Sequence, residues 1–252
     1  MLPFNPHHLR RVLLAAALTC AGRAYATTVT FSDSNFAPAS WTTAVAYDVL
    51  GVATHAESQV LTGGNPGSYR RVEQSGYGGF PDILVAHILQ GAVYNPSVSG
   101  AILSLDFHFE ANAPDAGLVK PPDPLDFIMM VTQGGKFFIF QGLASLDTTW
   151  ATMTRTGIPG SAFQTIGLVP ELAPDFSAGG GPIGFGFATA THHNIACDSP
   201  CNVGGIDNWW VTVNPPETVS NSPEPATGAD VLLAALLGMA ARRILHSCPT
   251  LR

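Results

Sequence analysis

Basic residues are scarce in this chain of 252 residues: charged side chains make up 12%, with 11 Lys and Arg against 18 Asp and Glu. Between Thr27 and Asn221 the bases are Arg70, Arg71, Lys120, Lys136 and Arg155, facing sixteen acids, a net charge of −11 for that stretch. A surface so short of cations lacks the counterion-releasing grip that nucleic acid demands, which excludes nucleic acid as a partner. Catalytic signatures are missing too. There is no Gly-x-Ser-x-Gly elbow, no phosphate loop and no His-Glu-x-x-His pair, so the reactions those motifs serve have no footing here. Heptads and internal repeats are also absent, which sets aside coiled coils and solenoids.

Long apolar runs are confined to the two ends. Near the start, Arg10 and Arg11 precede the apolar stretch Val12 to Ala21, and Ala24-Tyr25-Ala26 follows. A basic flank, a run of about ten residues and a small-residue site form the layout of a secretory signal peptide; a span needs roughly twenty. Residues 1–26 are therefore expected to be a leader cut after Ala26, with Ala24 and Ala26 as the signal peptidase site. Near the end, Pro223-Glu224-Pro225 leads into a run from Val231 to Ala241, closed by Arg242 and Arg243. The prolines force an extended approach, so a helix starts only after them. From Ala226 to Ala241 it would rise roughly 24 Å, a length that slight bilayer thinning and snorkelling arginines would complete. Basic residues after the run stay on the cytoplasmic side, so both ends point to one topology with the intervening domain outside.

This tail resembles the PEP-CTERM sorting signal of exported proteins in Gram-negative bacteria that make extracellular polysaccharide. The resemblance covers about residues 222 to 243. It implies recognition of Pro223, Glu224 and Pro225 by an exosortase-type enzyme, transient anchoring in the inner membrane, and delivery to the outer surface or extracellular matrix. Two departures stand out: Ser222 lies where the family often has Val, and Ile244 to Arg252 follow the arginines. The expected organisation is a leader (1–26), a β-sandwich domain (27–213), a Pro-rich linker (214–222), a sorting anchor (223–243) and a cytoplasmic tail (244–252).

Of the four cysteines, Cys197 and Cys201 alone fall within the domain. Export to an oxidising compartment favours a disulfide between them that would pin a turn. Zinc is the alternative, but it needs two further ligands and no second pair is present.

The domain is rich in Gly, Pro, Thr, Val and Phe and shows no helical stripe longer than two turns. Ile102 to Glu110 alternates strictly: Leu103, Leu105, Phe107 and Phe109 against Ser104, Asp106, His108 and Glu110, the pattern of a half-buried strand. Phe127 to Thr132 and Phe137 to Gln141 flank Gln133-Gly134-Gly135-Lys136 and read as a hairpin of central strands. Further strands are expected over Val29 to Phe31, Tyr69 to Glu73, Ile83 to Val93, Trp150 to Arg155, Ile183 to Thr189 and Ile206 to Val213. In Ile183 to Phe187 a bulky face alternates with bare Gly184 and Gly186, which permits close approach of a ligand or another backbone.

Eight or more short strands at this length predict an all-β fold, an antiparallel two-sheet sandwich of jelly-roll type. The opening Phe31-Ser32-Asp33-Ser34-Asn35-Phe36 with Trp41, and the closing Gly205-Ile206-Asp207-Asn208-Trp209-Trp210-Val211, resemble the first and last strands of extracellular carbohydrate-binding jelly rolls. That resemblance implies that the two strands lie side by side. It also makes Asp33 and Asp207 candidates for a structural calcium, the one cofactor in view. Trp41, Trp150, Trp209 and Trp210 are candidates for stacking on sugars, whose C–H faces suit an aromatic plane; of the adjacent Trp209 and Trp210, one should be core. Asp106, His108 and Glu110 share a strand face and have the chemistry for glycoside cleavage, yet the carboxylate motif of laminarinase-like enzymes is absent. His55 and His87 are isolated, and His192 and His193 would point to opposite faces. The expected function is non-catalytic: a surface-sorted sandwich binding extracellular polysaccharide or a matrix protein. A secreted polysaccharide hydrolase or lyase on the same fold, or a structural coat or adhesion protein, is the alternative.

Overall fold

The computed structural model describes residues 27–48, 50–51, 53–75, 83–113, 123–140, 149–166, 171–191 and 202–216. The expected leader, the sorting anchor and its arginines, the linker beyond Pro216, Cys197, Cys201, His192 and His193 lie outside these. No helix among the described residues is long and apolar enough to cross a membrane.

The fold is all-β. In chain order the strands are β1 (Val29–Asp33), β2 (Trp41–Asp48), β3 (Thr54–Gly64), β4 (Gly67–Ser75), β5 (Ile83–Tyr94), β6 (Ser104–Asn112), β7 (Asp123–Pro124), β8 (Asp126–Gln133), β9 (Lys136–Phe140), β10 (Ala151–Ile158), β11 (Phe163–Thr165), β12 (Ile183–Ala190) and β13 (Asn202–Asn214). They form two sheets. The first runs β10-β6-β13-β4-β3, with β1 and the short β7 also paired to β13; the second runs β11-β9-β8-β12-β5-β2. Every pairing is antiparallel except β7 with β13. The first and last long strands lie side by side, Val29 opposite Val213 through Asp33 opposite Trp209.

Alternation explains most of this. In β6, Leu105, Phe107 and Phe109 point into the sandwich and Asp106, His108 and Glu110 point out. From the second sheet Phe127, Phe185 and Phe187 meet them, joined by Phe36, Trp41 and Trp209. A fully buried phenylalanine contributes roughly 1.5–3 kcal/mol, so this aromatic layer is the main apolar cement. Gly134 and Gly135 both take positive φ, 58° and 74°, as a two-residue hairpin turn requires. The alternation starts later than the sequence implied, however. Leu103 precedes β6 and is exposed, its N–H on the Asn214 carbonyl, while the neighbouring Ile102 is buried with its N–H on the Phe176 carbonyl.

One irregularity positions the site. Asp207 lies opposite Glu110 and Trp210 opposite His108, so three steps along β13 face two along β6. Asn208, at φ 49°, absorbs the extra residue. Such a bulge resets the side-chain phase: Asp207 and Trp210 share the outer face of the first sheet, while Trp209 turns into the core.

Candidate glycan-facing site

The outer face of the first sheet carries two aromatic pairs. The first joins neighbouring strands: the rings of Trp210 on β13 and His108 on β6 stack at 5.2 Å, only 10° from parallel. His108 Nδ1 is 2.9 Å from Thr154 Oγ1 on β10, which fixes the imidazole. The second pair sits further along the same strands. Trp150 immediately precedes β10, one step beyond the pairing of Ala151 with Ala111, which brings it to the level of Asn112. Its ring meets Tyr69 of β4 edge-on at 5.4 Å and 78°, and its indole N–H donates to the Gly63 carbonyl at 3.1 Å. The floor between Tyr69 and Asn112 is Gly205, where a Cβ would stand 2.5 Å from Asn112 Oδ1 and 3.0 Å from the Tyr69 ring.

Asn112 and His108 are four residues apart on β6, so the two pairs are separated by roughly 13 Å. Midway stands Glu110, whose Oε2 accepts the Asn208 amide at 2.8 Å; the same amide donates to the Asn65 carbonyl at 2.6 Å. Asp207 is buried beneath this layer and accepts the backbone N–H groups of Asn65 and Asn208 at 2.6 and 2.7 Å. Burial nonetheless pushes its carboxyl above the usual aspartate range, partly offset by those two bonds, with the charge of Glu110 pushing the same way. Burial also lowers His108, against a smaller opposing pull from Glu110, so the stacked ring is neutral near pH 7. The surrounding outward residues are hydroxyl-bearing: Thr30 and Ser32 on β1, Thr152 and Thr154 on β10, Thr212 on β13.

Of the four tryptophans expected to stack on sugars, Trp150 and Trp210 lie on this face. Trp41 and Trp209 do not: both are buried, their rings 5.5 Å apart and nearly perpendicular, so neither presents a plane to a ligand. Trp41 is held by Asp33, whose Oδ2 accepts its indole N–H at 2.7 Å while Oδ1 accepts the amides of Asn35 and Phe36. The two aspartates named for calcium thus serve as acceptors for N–H groups, Asp33 against the core and Asp207 under the outer face. Calcium takes six to eight oxygens; no group of three or more His, Cys, Asp or Glu with metal-holding geometry occurs among the described residues, and these donors do not fit a shared ion.

The candidate acid-base trio has the expected common face but separate duties. Asp106 Oδ1 accepts the Gly157 amide at 2.7 Å, His108 stacks on Trp210, and Glu110 holds Asn208. Tyr69, Asn112 and Asn208 were not read from sequence as site residues. Tyr69 was discoverable once β4 was placed, by alternation with inward Arg70; Asn208 depends on the bulge, which no local pattern announces.

A second polar group lies between the sheets. Arg70 is buried with its guanidinium 5.7 Å from the centre of the Trp41 ring. Burial lowers its pKa, opposed by Glu57 and Asp33. His87, fully buried, stacks on Phe187 at 4.5 Å. Gln74 Nε2 donates to the Ile83 carbonyl, so its Oε1 accepts the Thr189 hydroxyl at 2.8 Å. With that hydroxyl proton committed, the 3.1 Å contact from His87 must be Nε2–H donating to Thr189, which leaves Nδ1 as a buried lone pair with no partner.

No protein-family model matches the chain, and no curated protein matches it by sequence. Solved structures similar to it include a cleaved adhesin domain of Lys-gingipain from Porphyromonas gingivalis: TM-score 0.39, 15% identity, 75% of this chain and 99% of that one. Also similar are two family 22 carbohydrate-binding modules. The xylan-binding domain from Paenibacillus barcinonensis has TM-score 0.37 and 8% identity over 75% of this chain and 94% of its own. The module from Clostridium thermocellum has TM-score 0.37 and 12% identity over 73% and 92%.

Proposed function

We propose that this chain is an exported, surface-sorted glycan-binding module without catalytic activity, acting in the extracellular polysaccharide matrix. The observation that carries the reading is the outer face of the first sheet, where Trp210 with His108 and Trp150 with Tyr69 frame a floor of hydroxyls, an amide and Glu110. Two aromatic stations roughly 13 Å apart suit an extended sugar chain, whose apolar faces stack while its hydroxyls meet the polar residues between. The commitments of Asp106, His108 and Glu110 to neighbouring groups favour a binding role over acid-base work. Export rests on the leader, and sorting on recognition of Pro223, Glu224 and Pro225 by an exosortase-type enzyme, with Arg242 and Arg243 on the cytoplasmic side.

Two measurements test this. Affinity electrophoresis of the full-length chain on a polysaccharide panel should show retardation that Trp210→Ala and Trp150→Ala each weaken; retardation unchanged in both variants refutes the site. Intact mass of the exported form should show loss of residues 1–26 and truncation near Pro223, and an uncut chain in the cytosol refutes the sorting.

A further inference from the structure

The floor between the aromatic pairs is net acidic. Glu110 stands at its middle, Asp207 directly opposite it, and Asp106 two residues past His108 on the same face. Arg71, which alternation puts on this face, is already tied to Glu73 through Nη1 and Oε1 at 2.5 Å. Among the described residues that alternation puts on this face, acids therefore outnumber bases. A uronate or sulfate polymer laid across it would press like charges together in a half-desolvated setting, a mismatch that rejects partners strongly. A neutral glycan stacks without penalty, but its hydroxyls make only ordinary bonds to the carboxylates.

An independent observation concerns the floor itself. Asn112 is 8% exposed and its Oδ1 has no hydrogen-bond partner. The atom lies against Gly205, beside the Tyr69–Trp150 pair. A buried acceptor left unpaired is costly and calls for a donor. The unmet capacity of this floor and its charge thus ask for the same chemistry, a donor-rich ligand bearing positive charge.

We infer that the site selects glycans with free amino groups, polymers of amino sugars in which a share of the units is not acetylated, with Glu110 as the ammonium acceptor between the two aromatic stations. The inference rests on the glycan-binding reading above and narrows it. Stacking supplies the register, and a charge-assisted bond to Glu110 supplies the preference. Because that bond is partly open to solvent, the preference weakens as ionic strength rises.

The test immobilises chitosan, its fully acetylated counterpart of matched length, and polygalacturonate, and measures binding of the full-length chain. The expected order is chitosan first, the acetylated polymer next and polygalacturonate last. Glu110→Gln keeps an acceptor for Asn208 and should cost about tenfold on chitosan, the scale of one charge-assisted bond, with a clearly smaller loss on the acetylated polymer, whose hydroxyls make only neutral bonds there. Glu171→Gln, at an exposed carboxylate off this face, should leave both unchanged. Equal affinity for the two amino-sugar polymers, both lost in Trp210→Ala, overturns the amine preference and leaves the glycan reading standing. A loss in Glu171→Gln matching that in Glu110→Gln overturns the inference in favour of bulk charge attraction. Failure to bind any of the three, together with no retardation on the wider panel, overturns both.

Discussion

Acid should loosen this sandwich through one residue. His87 has no exposure to solvent, donates through Nε2 to Thr189, and leaves Nδ1 without a partner. Burial holds its pKa well below the ordinary histidine value, and the neighbouring Arg70 and His55 push it further down. Facing it are Thr43 from β2, Phe187 and Thr189 from β12, and Arg70 and Gln74 from β4. None of these is a carboxylate that would welcome an imidazolium. As pH falls below about 6.5 the unfolded chain takes up a proton that the native state refuses, so stability drops by about 1.4 kcal/mol per pH unit until the depressed native pKa is reached. Between pH 6.5 and 5 the contribution approaches about 2 kcal/mol at most; above pH 6.5 the neutral form prevails in both states and the effect is gone. Asp207, raised by burial, acts with the opposite sign at lower pH, since its native carboxyl holds a proton that the unfolded one has released. Comparison with His87→Leu isolates the imidazole. Denaturant unfolding followed by tryptophan fluorescence at pH 7, 6 and 5 should show the parent losing more stability on acidification than the variant, by up to that 2 kcal/mol. A variant with the same pH slope as the parent refutes the argument, because it means that His87 protonates freely in the native state.

Three further outcomes follow from the packing. Trp209→Ala should cost about 3–5 kcal/mol in denaturant unfolding, as a fully buried indole does, whereas Trp210→Ala should stay within about 1 kcal/mol; equal costs would mean that the bulge does not sort the two rings. Gly186→Ala would bring a Cβ to 1.9 Å from the His87 carbonyl across the β12–β5 pairing, so a loss of about 2 kcal/mol or more is expected, and an unchanged midpoint contradicts the close approach. Asp33→Ala removes the acceptor for three N–H groups, one of them the buried Trp41 indole, and should cost about 3 kcal/mol; a blue-shifted, fully native tryptophan spectrum with unaltered stability would argue against that anchor.

Where a strand buries one face and wets the other, alternation was enough to locate it. Leu105, Phe107 and Phe109 of β6 and the Gly-Gly hairpin between β8 and β9 are legible for that reason. Strands β2 and β3 were not expected, and their residues explain why. The inward positions of β3 include His55, Glu57 and Gln59, polar side chains that meet the buried Arg70 and His87 region instead of an apolar wall, so no hydrophobic period of two exists to be read. The bare face of β12 was legible, but that a neighbouring backbone fills the space beside Gly186 was not, since a glycine pattern permits close approach without naming what approaches.

By itself, then, the sequence determined composition, charge balance, the alternation of the apolar strands, the sandwich class and the opposed character of adjacent Trp209 and Trp210. Each of these depends on residues near one another along the chain. Tertiary structure alone decided which tryptophans face outward, that Asp33 serves Trp41, and that Tyr69, Glu110, Asn112, Trp150 and Trp210 share one surface. Those facts depend on register between strands far apart in sequence and on the phase shift introduced at Asn208. A single extra residue in one strand moves every later side chain to the opposite face, and only the paired partner strand reveals it.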